Sequence, residues 1–269
     1  MAATAVASPG LAGADYLGGV AAILRRDLTV TLREFPAFLA QVILQPLFMI
    51  FVFGRVLADL GFTRGGYAAQ LFPGVVALTI AITAIQAVSF PLVIEFSFTR
   101  EIEDRLLAPL PTSLVAVEKI VFAAMRALIA GAVMFPVGWL VLGSIPFDLG
   151  RLWMLVAFAV GGSLAGGALG LSLGTLVPPN RINLMFALVL TPIIFTGCTQ
   201  YPWPSLHKLF WFQVLTLFNP ITYVSEGVRA SLLPAGPHMT TWIAGLLLTL
   251  ALAGFSVLGI WGFKRRAID

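Results

Sequence analysis

Side chains able to do chemistry are scarce in this sequence. Its 269 residues include one cysteine, Cys198, and two histidines, His207 and His238. One thiol allows no internal disulfide and no cysteine cluster, and two isolated imidazoles make no metal site. No metal is therefore expected. Gly161-Gly162-Ser163 sets a hydroxyl among small residues, as a serine nucleophile inside a membrane would be set. Such a serine needs a histidine base within hydrogen-bond reach, and both histidines belong to a distant proline-rich segment. Ser163 is read as a packing residue. No GxxxxGK[ST] stretch occurs, because Lys119, Lys208 and Lys264 all lack the preceding glycine. The chain thus has no P-loop for ATP phosphates. Paired acids of the kind a proton-driven carrier uses inside its spans are absent too.

The ionisable groups that remain gather in two places. Arg100, Glu101, Glu103, Asp104 and Arg105 fall within six residues, with Ile102, Leu106 and Leu110 spaced four apart among them. That spacing predicts a short helix with an apolar stripe and a charged face. Thr99 can cap it, and Pro109 and Pro111 end it. Long apolar segments flank it, so the helix is expected at a membrane surface, facing a partner in the water. Secondly, Glu95 and Arg126 sit at membrane-depth positions on consecutive apolar segments. An ion pair between them is expected, the alternative being that each snorkels to the interface.

The elements that position these groups are membrane spans. Hydrophobic residues make up 59% of the chain and charged ones 10%, where soluble domains carry about 25% charged residues. An all-α polytopic membrane protein is the reading. The pI near 9.6 and the net charge of +4 reflect basic residues at one membrane face, not nucleic-acid binding. Residues 1–14 have neither a basic start nor an apolar run and read as a disordered tail rather than a signal peptide. Residues 15–34 are amphipathic, with Arg25, Arg26 and Asp27 opposite an apolar stripe, and predict an N-terminal interfacial helix. Six spans follow at about 35–57, 68–96, 114–142, 152–177, 182–199 and 241–263, each long enough to cross the hydrocarbon. Residues 201–240 are too apolar for a solvated loop and are broken by five prolines. They predict two short helices dipping into the outer face, with Asn219-Pro220 between them.

Sparse polar residues in the spans, Gln41, Gln45, Thr79, Thr83, Gln86 and Thr191, are candidates for lining a pore, although a threonine in a span often bonds only its own backbone. Gly162, Gly166, Gly170 and Gly174 form a small-residue stripe that admits a close helix neighbour. That neighbour is a span of the same chain or a second subunit, unless the stripe forms a pore wall. With both termini on one side, eleven of the 16 basic residues lie on that side: Arg25, Arg26, Arg33, Arg100, Arg105, Lys119, Arg126, Arg181, Lys264, Arg265 and Arg266. The imbalance places both termini in the cytoplasm.

Two stretches carry a family resemblance. Leu217-Phe218-Asn219-Pro220-Ile221-Thr222-Tyr223, followed by Glu226-Gly227-Val228-Arg229, is similar to the NP-[LI]-T-Y…E-x-x-R signature of the membrane domains of type-2 ABC exporters, such as daunorubicin-type drug exporters and nodulation-factor exporters. Thr99 to Leu107 with Pro109, Pro111, Glu118 and Lys119 resembles the family's acidic cytoplasmic helix, although Ile102-Glu103-Asp104 replaces its usual Gly-Thr. The resemblance covers about residue 16 to the C-terminus. It implies that Arg100, Glu101, Glu103, Asp104, Arg105 and Leu106 form a coupling helix docking on a separate ATPase, and that Asn219, Pro220, Tyr223, Glu226 and Arg229 shape outer re-entrant helices. It further implies a non-enzymatic permease in a bacterial inner membrane, no cofactor on this chain, and ATP and Mg²⁺ on two copies of an ABC ATPase. The second permease would be a copy or a homologue. The expected cargo is hydrophobic or amphipathic, a drug or a lipid-linked molecule. A polysaccharide or lipooligosaccharide is the alternative, and an ion-coupled carrier is the rival from another class.

Overall fold

The computed structural model describes residues 13–62, 66–95, 111–178, 181 and 186–268. The expected charged helix around residues 100–106, most of the N-terminal tail and the start of the fifth expected span lie outside them. Among the described residues the chain is helical, with no strand.

Helix α1 spans Gly13–Arg33 and α2 Phe35–Met49. Pro46 withholds an N–H from α2 and crowds the preceding turn. Four residues later the ladder widens to a π-helix over Ile50–Val56, before a last turn at Leu57–Asp59. Helices α3 (Tyr67–Ile94), α4 (Thr112–Leu142) and α5 (Leu152–Leu176) follow. A π-helical turn at Phe186–Leu190 leads into the short α6, Thr191–Thr196. Helix α7 is Phe210–Thr216, α8 Pro220–Leu232 and α9 Thr241–Ile268. Among the described residues five stretches are long and apolar enough to cross a membrane: Phe35–Asp59, Tyr67–Ile94, Thr112–Leu142, Leu149–Leu176 and Thr241–Arg266.

Burial ranks these helices. In α3 83% of the most apolar window is buried, against 22% in α2 and 17% in α9. Helix α3 is therefore the axis of the bundle, packed by α5, α4, α8 and α2, while α9 closes the far side of α5. The core around Phe72, Val76, Ile80, Met134, Phe158 and Val228 joins α3, α4, α5 and α8. The glycine stripe of α5 makes its contacts within the chain. A Cβ at Gly170 would sit 2.5 Å from the carbonyl oxygen of Ile85, and one at Gly162 would sit 2.5 Å from a Val224 methyl. The stripe thus lets α3 and α8 approach closely, as small residues do between membrane helices.

The two ends of the bundle differ. At the end bearing the termini, Arg266 donates to the carbonyls of Gly174, Thr175 and Val177 at 3.0–3.4 Å, satisfying the open C-terminus of α5. At the opposite end Tyr67 donates to the Gln200 carbonyl (3.2 Å) and Arg151 to that of Ala230 (3.3 Å). Trp139, Trp153 and Trp242 are exposed at helix ends on this side, as interfacial anchors are. Val177 thus lies at the first end and Gln200 at the second.

Candidate functional site

Three helices build a cavity along one seam of the bundle. Gln41 and Gln45 are one turn apart on α2, while Thr79, Thr83 and Gln86 repeat at helical spacing on α3. These five residues and Arg126 of α4 border a space of about 300 Å³, whose remaining wall includes Phe38, Met49, Leu78, Ile82 and Phe90. Thr79 donates to the Val75 carbonyl (2.8 Å), so its oxygen offers the cavity only an acceptor. Thr191 stands apart, exposed at the head of α6. The structure thus gathers five of the six candidate lining residues, with Arg126 added.

A second space of about 340 Å³ continues this one toward the terminus end, sharing Phe38, Gln41, Ala87, Pro91 and Arg126 with it. Helix α1 contributes Arg26, Asp27 and Thr31 to its wall, Glu34 adds to it from the junction with α2, Glu95 from the C-cap of α3 and Lys119 from α4. The N-terminal amphipathic helix therefore borders this space, a position that its periodicity alone does not reveal.

The expected Glu95–Arg126 pair does not form. The Lys119 ammonium donates to both Glu95 oxygens, at 2.7 and 2.9 Å, in a nearly buried pair. Lys119 and Arg126 are separated by seven residues, about 10 Å of helix rise, so Glu95 reaches only the shallower one. Arg126 instead lies over the Phe38 ring, 4.8 Å from its centroid, and 5.8 Å from that of Phe122.

At the opposite end the Asn-Pro…Glu…Arg stretch forms a buried staple. All thirteen residues of α8 are buried. Asn219 caps the helix by accepting from Ile221 N–H (2.9 Å), with Pro220 at the position where its missing N–H costs nothing. The same side chain donates to the Ile193 carbonyl (2.6 Å) and the Thr196 hydroxyl (2.9 Å). Ser225 donates to Gly197 O (2.7 Å), and Arg229 Nη2 donates to Cys198 O (2.9 Å). The C-terminus of α6 and the residues beyond it would otherwise leave carbonyls unsatisfied in an apolar setting. One face of α8 answers them.

Glu226 completes the staple. One of its oxygens accepts from Trp203 N–H (3.0 Å) and pairs with Arg229; the other accepts from Met239 N–H (2.6 Å). Arg229 Nε also donates to Gln70 O (3.4 Å). Tyr223 donates to the Leu217 carbonyl, joining α8 to the end of α7. Cys198, with φ of 51°, adopts the left-handed conformation uncommon for a residue with a side chain. Its carbonyl is held there by Arg229, and the Thr199 carbonyl lies where a Cβ on Gly74 would stand, 1.7 Å away.

Ser163 is buried and donates to Val160 O of its own helix (2.8 Å), while His207 and His238 bond neighbouring backbone carbonyls. Among the described residues no group of three acids, histidines or cysteines is placed to hold a metal.

Residues 19–233 match the family described as ABC-2 type transporter. The chain is 29% identical over 224 residues to the inner membrane transport permease YadH of Escherichia coli (strain K12), covering 80% of this chain and 82% of that protein. The proteins of the same name from Escherichia coli O157:H7 and Shigella flexneri show the same identity and coverage.

Proposed function

The chain belongs to the ABC-2 type transporter membrane family, and we propose that it is the permease of an ATP-driven exporter for hydrophobic or amphipathic compounds. Membership makes it a transport subunit rather than an enzyme and implies association with an ABC ATPase. The observation that carries the cargo class is the seam cavity. Five polar side chains from two helices, with Arg126 from a third, converge there on a space otherwise walled mainly by phenylalanine, methionine and branched aliphatics. Such a lining suits a mostly apolar ligand held by a few polar groups.

The remaining parts of the reading rest on position. Residues 182–199 make the sixth crossing, supported by Val177 and Gln200 lying at opposite ends of the bundle. Helices α7 and α8 are the outer re-entrant pair, supported by the burial of α8 against the end of α6 and by the Tyr223 bond that ties the end of α7 to it. The terminus end faces the cytoplasm of a bacterial inner membrane. The basic-residue imbalance and the inner-membrane naming of YadH support this. Arg100, Glu101, Glu103, Asp104, Arg105 and Leu106 then lie on the cytoplasmic side, between Ile94 of α3 and Thr112 of α4. There they dock one of two ATPase subunits, which carry ATP and Mg²⁺. A second permease, a copy or a homologue, completes the path, because α2 is too little covered to close it alone. ATP binding draws the ATPases together and moves the permeases through these contacts.

The test is co-expression with the cognate ABC ATPase and purification through a tag on this chain. ATP hydrolysis is expected to co-purify with the wild type and to be lost with Glu101→Lys plus Glu103→Lys. Folded permease that brings no ATPase overturns the reading.

A further inference from the structure

One side chain in the cavity bears on the charge of its ligand. Arg126 borders both spaces, and among the described residues lining the upper one it alone is ionisable. Its Nε is buried and has no hydrogen-bond partner among the described residues. Of the acids facing this region, Glu95 is held by Lys119 at 2.7 Å, and Asp27 and Glu34 line only the lower space. Among the described residues Arg126 makes no ion pair with them. Phe38 and Phe122 cover the guanidinium through their rings, and such contacts act on its face. They leave open the in-plane N–H fork, the part shaped for a carboxylate or phosphate, whose Nε has no acceptor among the described residues. A cation set in an apolar wall is costly unless something pairs with it.

We propose that the cavity binds an amphipathic anion, with a phosphate- or carboxylate-type head on Arg126 and an alkyl tail along Phe38, Met49, Leu78, Ile82 and Phe90. Calling this anion the cargo rests on the exporter reading; the binding itself does not. A bilayer lipid and a free amphiphile present the same head chemistry, and the same head-and-tail match selects both over a bare anion.

The probe is a diazirine-bearing dodecyl phosphate, crosslinked to the full-length chain in phosphatidylcholine nanodiscs and mapped by peptide mass spectrometry. Labelling is expected on residues 38–49 and 78–90, to fall about tenfold in Arg126→Gln, and to return in large part in Arg126→Lys. The neutral diazirine dodecanol is expected to label wild type and Arg126→Gln alike. Unchanged unfolding temperature of the variants separates loss of binding from loss of fold. If phosphatidic acid in the disc suppresses labelling, the ligand source is a lipid; if only added dodecyl phosphate does, it is a soluble amphiphile. Either result supports the site. Equal labelling of Arg126→Gln by the phosphate probe overturns it, as does competition by inorganic phosphate as strong as by dodecyl phosphate. The assay needs no ATPase, so it can fail while the ATPase still co-purifies, or succeed where none does.

Discussion

Glu226 and Arg229 sit side by side on one face of α8, and each serves backbone groups as well as its partner. Glu226 holds the N–H groups of Trp203 and Met239, and Arg229 holds carbonyls of Gln70 and Cys198. Removing one member of a buried charged pair strands the other and typically costs about 3–5 kcal/mol. Glu226→Ala is therefore expected to lower the unfolding temperature markedly, measured by fluorescence-detected size exclusion after heating. Cys198 provides a second readout, being fully buried and the protein's single thiol. Maleimide modification of the native protein is expected to be slow in the wild type and faster in Arg229→Ala. A wild-type Cys198 that reacts at the rate of a free thiol would contradict the closed staple.

Between elements, the closest constraint is the α3–α5 contact. A side chain at Gly170 meets the backbone oxygen of Ile85, which cannot rotate away. Gly170→Val is expected to cost about 1–3 kcal/mol by overpacking and to reduce the yield of monodisperse protein. Gly18→Ala is the control: Gly18 is exposed on α1 and a Cβ there meets nothing within 4 Å. It is expected to be neutral or slightly stabilising, since alanine favours a helix by up to about 1 kcal/mol over glycine. Equal losses in both variants would show that the stripe is not a packing surface. The π-helical stretch after Pro46 belongs to this scale too. It places Ile50 and Gly54 inward while Phe51 and Val52 face out.

Across the whole molecule, α1, α2, α3 and α4 together line two adjoining spaces, a charged one at the terminus end and the upper cavity. Filling the upper cavity while sparing the ends tests the proposed transport path separately from assembly. Thr83→Trp is expected to leave ATPase co-purification intact and to reduce efflux of an amphiphilic dye from cells about tenfold, equivalent to about 1.4 kcal/mol. Unaltered efflux would place the path elsewhere. The double change Glu101→Lys and Glu103→Lys is expected to do the reverse, removing the ATPase while leaving the folded permease and its cavity.

Hydropathy and periodicity alone identified a helical membrane protein, because about twenty consecutive apolar residues have few other ways to satisfy their backbone. The Asn219-Pro220 break between two short helices and the polar residues of the first two expected spans were equally legible, since turns and helical spacing are local properties. The staple's partners were not, because Glu226 and Arg229 bind backbone groups of Gln70, Cys198, Trp203 and Met239, and backbone groups carry no residue signature. Nor was the choice of Lys119 over Arg126 for Glu95. Hydropathy marks where a span begins without giving the relative depth of two helices, and a two-turn difference decides which cation is reached. That same difference leaves Arg126 facing the cavity, so a property of helix packing, not of composition, sets the cavity's charge.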